Sequence, residues 1–149
     1  MKRVLLIINI VIIAFLLFVI YEQHQLLNKY RGTVYSSLSQ LNLPVERILS
    51  YHENKDYTED TNQRLLITLD QYYGDIFNNG GWGFLLESDM KEKYYNKYLD
   101  TRVSYSLAIQ KYIEANTEDE RQQAYNTIKS KYENYSEFLE KARKELDLE

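Results

Sequence analysis

Two histidines, a run of three carboxylates, a glycine-rich aromatic corner and a polar patch on an amphipathic stretch are the groups in this 149-residue chain whose types invite a chemical reading. His24 and His52 stand far apart, and neither belongs to an HxxxH, HExxH or ExxH spacing. A metal would need carboxylates gathered from distant segments, so both rings are expected to be solvated surface groups. Glu118-Asp119-Glu120 follows Thr117, which makes the run a capping box at a helix start and accounts for the acidic cluster without a cation. There is no phosphate-cradling glycine loop, no GxSxG elbow and no EF-hand loop. Cysteine is absent, which excludes thiol chemistry, disulfides and zinc–thiolate sites. Asn134-Tyr135-Ser136 matches a glycosylation sequon, relevant only in a eukaryotic secretory pathway. The expectation is a protein without catalytic residues, cofactor or metal.

Two patches remain as candidate contact surfaces. Trp82 and Phe84 sit among Gly80, Gly81 and Gly83, where aromatics on a bend could anchor a partner or fold back to seal the end of a helical bundle. Arg102 and Ser106 fall where the apolar stripe of a helix wants bulk. With Tyr98 and Tyr105 they could line a wet, ligand-accepting seam, unless the buried face shifts to use Val103 and Tyr105. Fifteen tyrosines suggest aromatic recognition, but eleven asparagines and twelve isoleucines accompany them, all AT-rich codons. A low-GC bacterium, or its phage, explains that usage without a ligand.

The element that must position everything else is Val4 to Tyr21, an apolar run in which Asn9 is the one strongly polar residue. As a helix it reaches about 27 Å, close to the roughly 30 Å of bilayer hydrocarbon. Its many β-branched residues favour a strand in water. In lipid every backbone group must pair within the segment, so helix wins. The run exceeds the roughly 7–15 residues of a signal-peptide core, and no small-x-small site follows, so it is expected to stay attached. Lys2 and Arg3 on one side against Glu22 on the other favour a cytoplasmic N-terminus, a bias diluted by Lys29 and Arg31. Asn9 could hydrogen-bond to another membrane helix, or be a tolerated polar residue near the interface. The chain therefore divides into a cytoplasmic 1–3, a membrane helix 4–21 and an exported domain 22–149. That domain holds 16 basic and 22 acidic residues, a formal charge of −6, which gives it no electrostatic reason to bind nucleic acid.

Beyond Tyr21, Leu27, Tyr30, Val34, Leu38 and Leu41 recur in steps of three and four. Pro44 must end, kink or reverse this helix, with Asn42 as cap of a short helix from Val45 to about Tyr51, and 52–56 a polar connection. A further helix runs from a Thr58 cap to Phe77 and stops at Asn78-Asn79-Gly80-Gly81. Another spans about 89–115 behind Ser88, with Tyr95, Tyr98, Arg102, Ser106, Ile109 and Ile113 inward. The last follows Thr117, with a seam through Ala124, Ile128, Tyr132, Tyr135, Leu139, Ala142 and Leu146. The fold class is all-α: a transmembrane helix continuing into an up-down bundle of about four long helices and one short. The leading functional expectation is a membrane-anchored, non-catalytic interaction module (accessory, immunity or envelope-assembly factor) that meets the lipid bilayer through 4–21 and a protein through its bundle. Homo-oligomers are compatible with its seams. The alternative is a small-ligand-binding bundle with a tyrosine-lined polar seam.

Overall fold

The computed structural model describes residues 2–55, 60, 63–65, 67 and 91–148. Its elements are helices: α1 Lys2–Gln40, α2 Asn42–Glu53, a π-helical turn Lys91–Tyr95 leading into α3 Asn96–Ile113, and α4 Glu118–Glu145. No strand occurs among the described residues. The helix expected over 58–77 falls largely outside them. Residues 60, 63–65 and 67 are helical, with Leu65 buried and Arg64 paired to Asp60 at 2.7 Å.

Pro44 kinks the first rod without turning it back. Its missing N–H leaves the Gln40 carbonyl without the usual donor, and its ring crowds that same carbonyl, so the break falls one turn upstream. Leu41 there keeps helical backbone angles and bonds to the Leu38 carbonyl three residues back, at 3.2 Å. That Arg31 pairs with Asp147 and Glu53 accepts from Tyr125 sets 22 residues of α1–α2 against 22 residues of α4, about 33 Å of antiparallel contact. A reversal at Pro44 could not produce that match. Asn42 is not a cap: it lies inside α2, buried, with its side chain turned to other helices. The helix also outruns the expected connection, since His52 and Glu53 belong to it.

Three seams meet in the core. On α1–α2 the buried positions are Val34, Leu38, Leu41, Val45, Ile48 and His52, stepping four, three, four, three, four straight across the kink. On α3 they are Tyr98, Thr101, Tyr105, Ala108, Ile109 and Tyr112, with Tyr94 one step before. The expected face holds at Tyr98 and Ile109, whereas Tyr95, Arg102, Ser106 and Ile113 are only half-buried and Val103 is exposed. Of the two readings, the shifted one holds for Tyr105 and fails for Val103. On α4 the seam runs as expected through Ile128, Tyr135, Leu139, Ala142 and Leu146, except that Tyr125 is buried where Ala124 was expected and Tyr132 is half-buried.

Both ends of α4 are capped. The Thr117 hydroxyl accepts from the Glu120 N–H at 3.2 Å, and the Glu120 carboxylate accepts from the N–H groups of Asn116 and Thr117 at 2.9 and 3.2 Å. Those backbone donors hold the Glu120 carboxyl below its ordinary range. At the other end the N–H groups of Asp147 and Leu148 return to the carbonyls of Lys144 and Arg143, with Asp147 at φ 58, a Schellman motif. Ile128 has no exposed surface, so Ile128→Ala should lower stability by about 2–5 kcal/mol. Thr117→Ala should cost about 1 kcal/mol, and Thr117→Ser far less. Urea unfolding followed by circular dichroism, in detergent, checks all three.

Candidate interaction surfaces

Tyrosine rings fill much of the described interior, and several of their hydroxyls reach an acceptor on another helix. Tyr105 of α3 donates to Asn42 Oδ1 at 3.0 Å, and Asn42 donates in turn to Ser136 Oγ at 3.3 Å, tying α2, α3 and α4 at one level. Tyr135 donates to the Leu38 carbonyl at 3.0 Å, beside the kink. Tyr132 donates to Glu46 at 3.1 Å, and Tyr94 to Glu145 at 2.6 Å. Lys93 reaches the same Glu145 oxygen at 2.6 Å. That lysine, with the Tyr94 hydroxyl, holds the Glu145 carboxyl below its ordinary range. Burial pushes the Tyr98 hydroxyl up to about 12. Burial, then the charges of Tyr132 and Glu46, carries Tyr105 higher still.

Beside Tyr105 a groove of about 270 Å³ opens between α3 and α4, lined by Lys97, Asp100, Thr101, Ser104 and Lys131 among others. Lys131 donates to Ser104 Oγ at 2.6 Å. This polar groove involves Thr101 and Ser104, whereas Arg102 and Ser106 do not line it. Tyr105 borders the groove, while Tyr98 is buried behind it. The helix bends no glycine into this groove; its polarity comes from small hydroxyl side chains facing two lysines. A second, wider cleft of about 390 Å³ lies at the α3–α4 turn, between Lys111, Glu114, Glu120 and Thr127.

His52 departs most from expectation. It is 8% exposed, stacked on the Tyr125 ring with centroids 3.8 Å apart, and edge-on to Tyr112. Its Nε2 donates to Gln122 Oε1 at 3.1 Å, and Nδ1 lies 3.3 Å from the Tyr112 hydroxyl. It is a core residue satisfied by neutral partners and not a solvated one. The signal that could have found it is the seam itself, since His52 is the next step after Ile48. His24, by contrast, is exposed, with its ring hydrogen-bonded to Asn28 at 3.2 Å. No group of three metal-ligating side chains occurs among the described residues.

Among the described residues the largest apolar surface is the first half of α1. Every residue from Ile7 to Phe18 is exposed, Phe15 at 64%, and Asn9 is exposed with them. This one helix is long and apolar enough to cross a membrane. Smaller apolar exposures are Leu26 and Leu27 below the bundle and Val103 and Leu107 on α3. Trp82, Phe84, Gly80, Gly81 and Gly83 lie outside the described residues. Asn134-Tyr135-Ser136 lies within α4 with Tyr135 buried, which makes it a helix segment and not an open loop. Searches with family models, among curated proteins and among solved structures found nothing that matches this chain.

The raised tyrosines make stability depend on alkaline pH. Their folded-state values lie above the ordinary value of about 10, so the unfolded chain releases these protons first. Stability is therefore complete below about pH 10 and falls as pH climbs toward the folded values. Circular dichroism and tyrosinate absorbance should change together above pH 10, in one cooperative step. Tyr105→Phe should cost about 1–3 kcal/mol by leaving Asn42 Oδ1 buried without its donor, and adding Asn42→Leu should recover part of that loss. A double-mutant cycle in urea measures both.

Proposed function

We propose that this chain is a single-pass membrane protein whose residues 1–3 stay in the cytoplasm, whose 4–21 span the bilayer, and whose 22–149 form an exported up-down helical bundle that binds another protein without catalysis. One observation carries the reading: α1 is a single helix whose first half is bare and apolar and whose last turns, from Tyr30 on, pack into a core. A rod with two such parts suits two solvents, lipid and water. Accessory, immunity and envelope-assembly factors of a low-GC bacterium or its phage are the functional classes that fit. The bundle has a near end, where α4 closes beside the exposed rod, and a far end, where α4 begins at its Thr117 cap.

A second reading, a small-ligand-binding bundle, draws on the Thr101–Ser104–Lys131 groove. The two readings diverge in experiment. Cross-linking in intact cells followed by mass spectrometry should recover a reproducible protein neighbour for the first, and its absence across replicates would remove it. For the second, thermal-shift screening of the detergent-solubilised chain should find a ligand that raises the midpoint in proportion to its concentration, with the shift lost in Lys131→Ala. Reporter fusions at Glu149 should be active outside the cytoplasm, and activity only inside would reverse the topology.

A further inference from the structure

We propose that the near end of the bundle rests on the phospholipid headgroup layer, with Leu27 and the cations around it as the contact; this builds on the membrane-anchor reading above. The first argument is rigidity. α1 has no proline and no break between the apolar run and the bundle, so the height of the bundle above the span is set by helix rise. Glu22 to Lys29, all exposed, separate the two, about 12 Å of helix. The headgroup layer of one leaflet occupies roughly 5–7 Å of that. What remains is within reach of an extended lysine or arginine side chain, and an ordinary helix tilt of about 20° closes it further.

The second argument is an apolar stripe longer than its partner. Counting back from Leu38 and Val34, the seam continues to Arg31 and then Leu27. The opposing helix ends first: α4 closes with Leu146 and Leu148 at the level where Arg31 meets Asp147. Leu27 is left 45% exposed on the core face, with Leu26 at 47% beside it. An amphipathic helix at a bilayer surface puts such residues into the boundary between headgroups and acyl chains.

The third argument is charge. Glu145 and Asp147 at this end pair with Lys93 and Arg31, while Lys29, Arg143 and Lys144 are exposed together with Glu22 and Glu92. Cations left at the rim suit phosphate oxygens, within a domain whose formal charge is otherwise negative.

The chain lacks cysteine, so single-cysteine variants of the full-length protein report cleanly. Leu27→Cys, Lys144→Cys, Asp119→Cys and Ala14→Cys, each carrying a fluorophore, would be reconstituted in vesicles of phosphatidylethanolamine and phosphatidylglycerol. Headgroup-labelled nitroxide lipid should quench the probes at 27 and 144 severalfold more than the probe at 119, at the far end. Acyl-chain nitroxide should quench the probe at 14. If 27 and 144 are quenched no more than 119 while 14 is quenched, the anchor stands and the lipid contact is overturned. If 14 is not quenched, the anchor reading itself has failed. Oxidation of Leu27→Cys to a disulfide-linked dimer, with 144 unquenched, would assign the bare stripe to a second copy and also overturn the proposal.

Discussion

Burying a tyrosine ring is cheapest when its hydroxyl meets an acceptor at the right depth, and bonds of that kind tie the helices of the described bundle together. Tyr105 finds Asn42, Tyr135 finds the Leu38 carbonyl, Tyr94 finds Glu145, and Tyr132 finds Glu46. Each bond joins two helices that are distant in sequence. Apolar seams alone would tolerate a helix sliding along its neighbour by a heptad, since leucine meets leucine again one step on. A hydroxyl aimed at a single buried acceptor does not, because a slipped helix would leave Tyr105 and Asn42, or Tyr135 and the Leu38 carbonyl, buried and unpaired. Register is therefore held by polar contacts within an apolar seam.

The kink at Pro44 belongs to the same scheme. A proline inside a helix frees a carbonyl one turn earlier and disturbs the ladder around it. Here the disturbed turn is where the Leu38 carbonyl accepts from both the Leu41 N–H and the Tyr135 hydroxyl. Asn42, one residue past the break, is met by Tyr105 and Ser136. The weak point of the first rod is thus supported from α3 and α4 together. Across it the seam keeps its spacing, and the rod continues to His52 without losing its face.

This arrangement gives the protein a direction. Cations and the end of α4 lie beside the exposed rod, while the Thr117 cap and the His52–Tyr125 stack lie at the opposite end. α3 rises in the same sense as α1, as its pairing with α4 requires. A partner approaching from solution meets the far end and the flank carrying Val103, Leu107 and the polar groove. The near end faces whatever covers the apolar half of α1. The proposed division of labour, lipid below and protein above or beside, follows from that polarity.

Helical class, the exposed apolar rod and the Thr117 capping box were legible in the sequence because each rests on local chemistry. Periodicity, backbone satisfaction and a four-residue cap need no knowledge of neighbours. The α4 seam was legible for the same reason, since aliphatic residues mark most of it. The α3 face was legible only in part, at Tyr98 and Ile109. Tyrosine is amphipathic, and whether Tyr105 or Arg102 turns inward depends on an Asn42 hydroxyl acceptor more than sixty positions away in the chain. His52 reads as polar until Tyr112, Gln122 and Tyr125 surround it. The path past Pro44 is decided by contacts along α4, because proline weakens a helix locally but cannot choose between a bend and a reversal. Spacing determined which segments are helices and that one is apolar throughout. Tertiary packing alone decided which polar side chains could be buried, because only a partner from another helix removes the cost of taking them out of water.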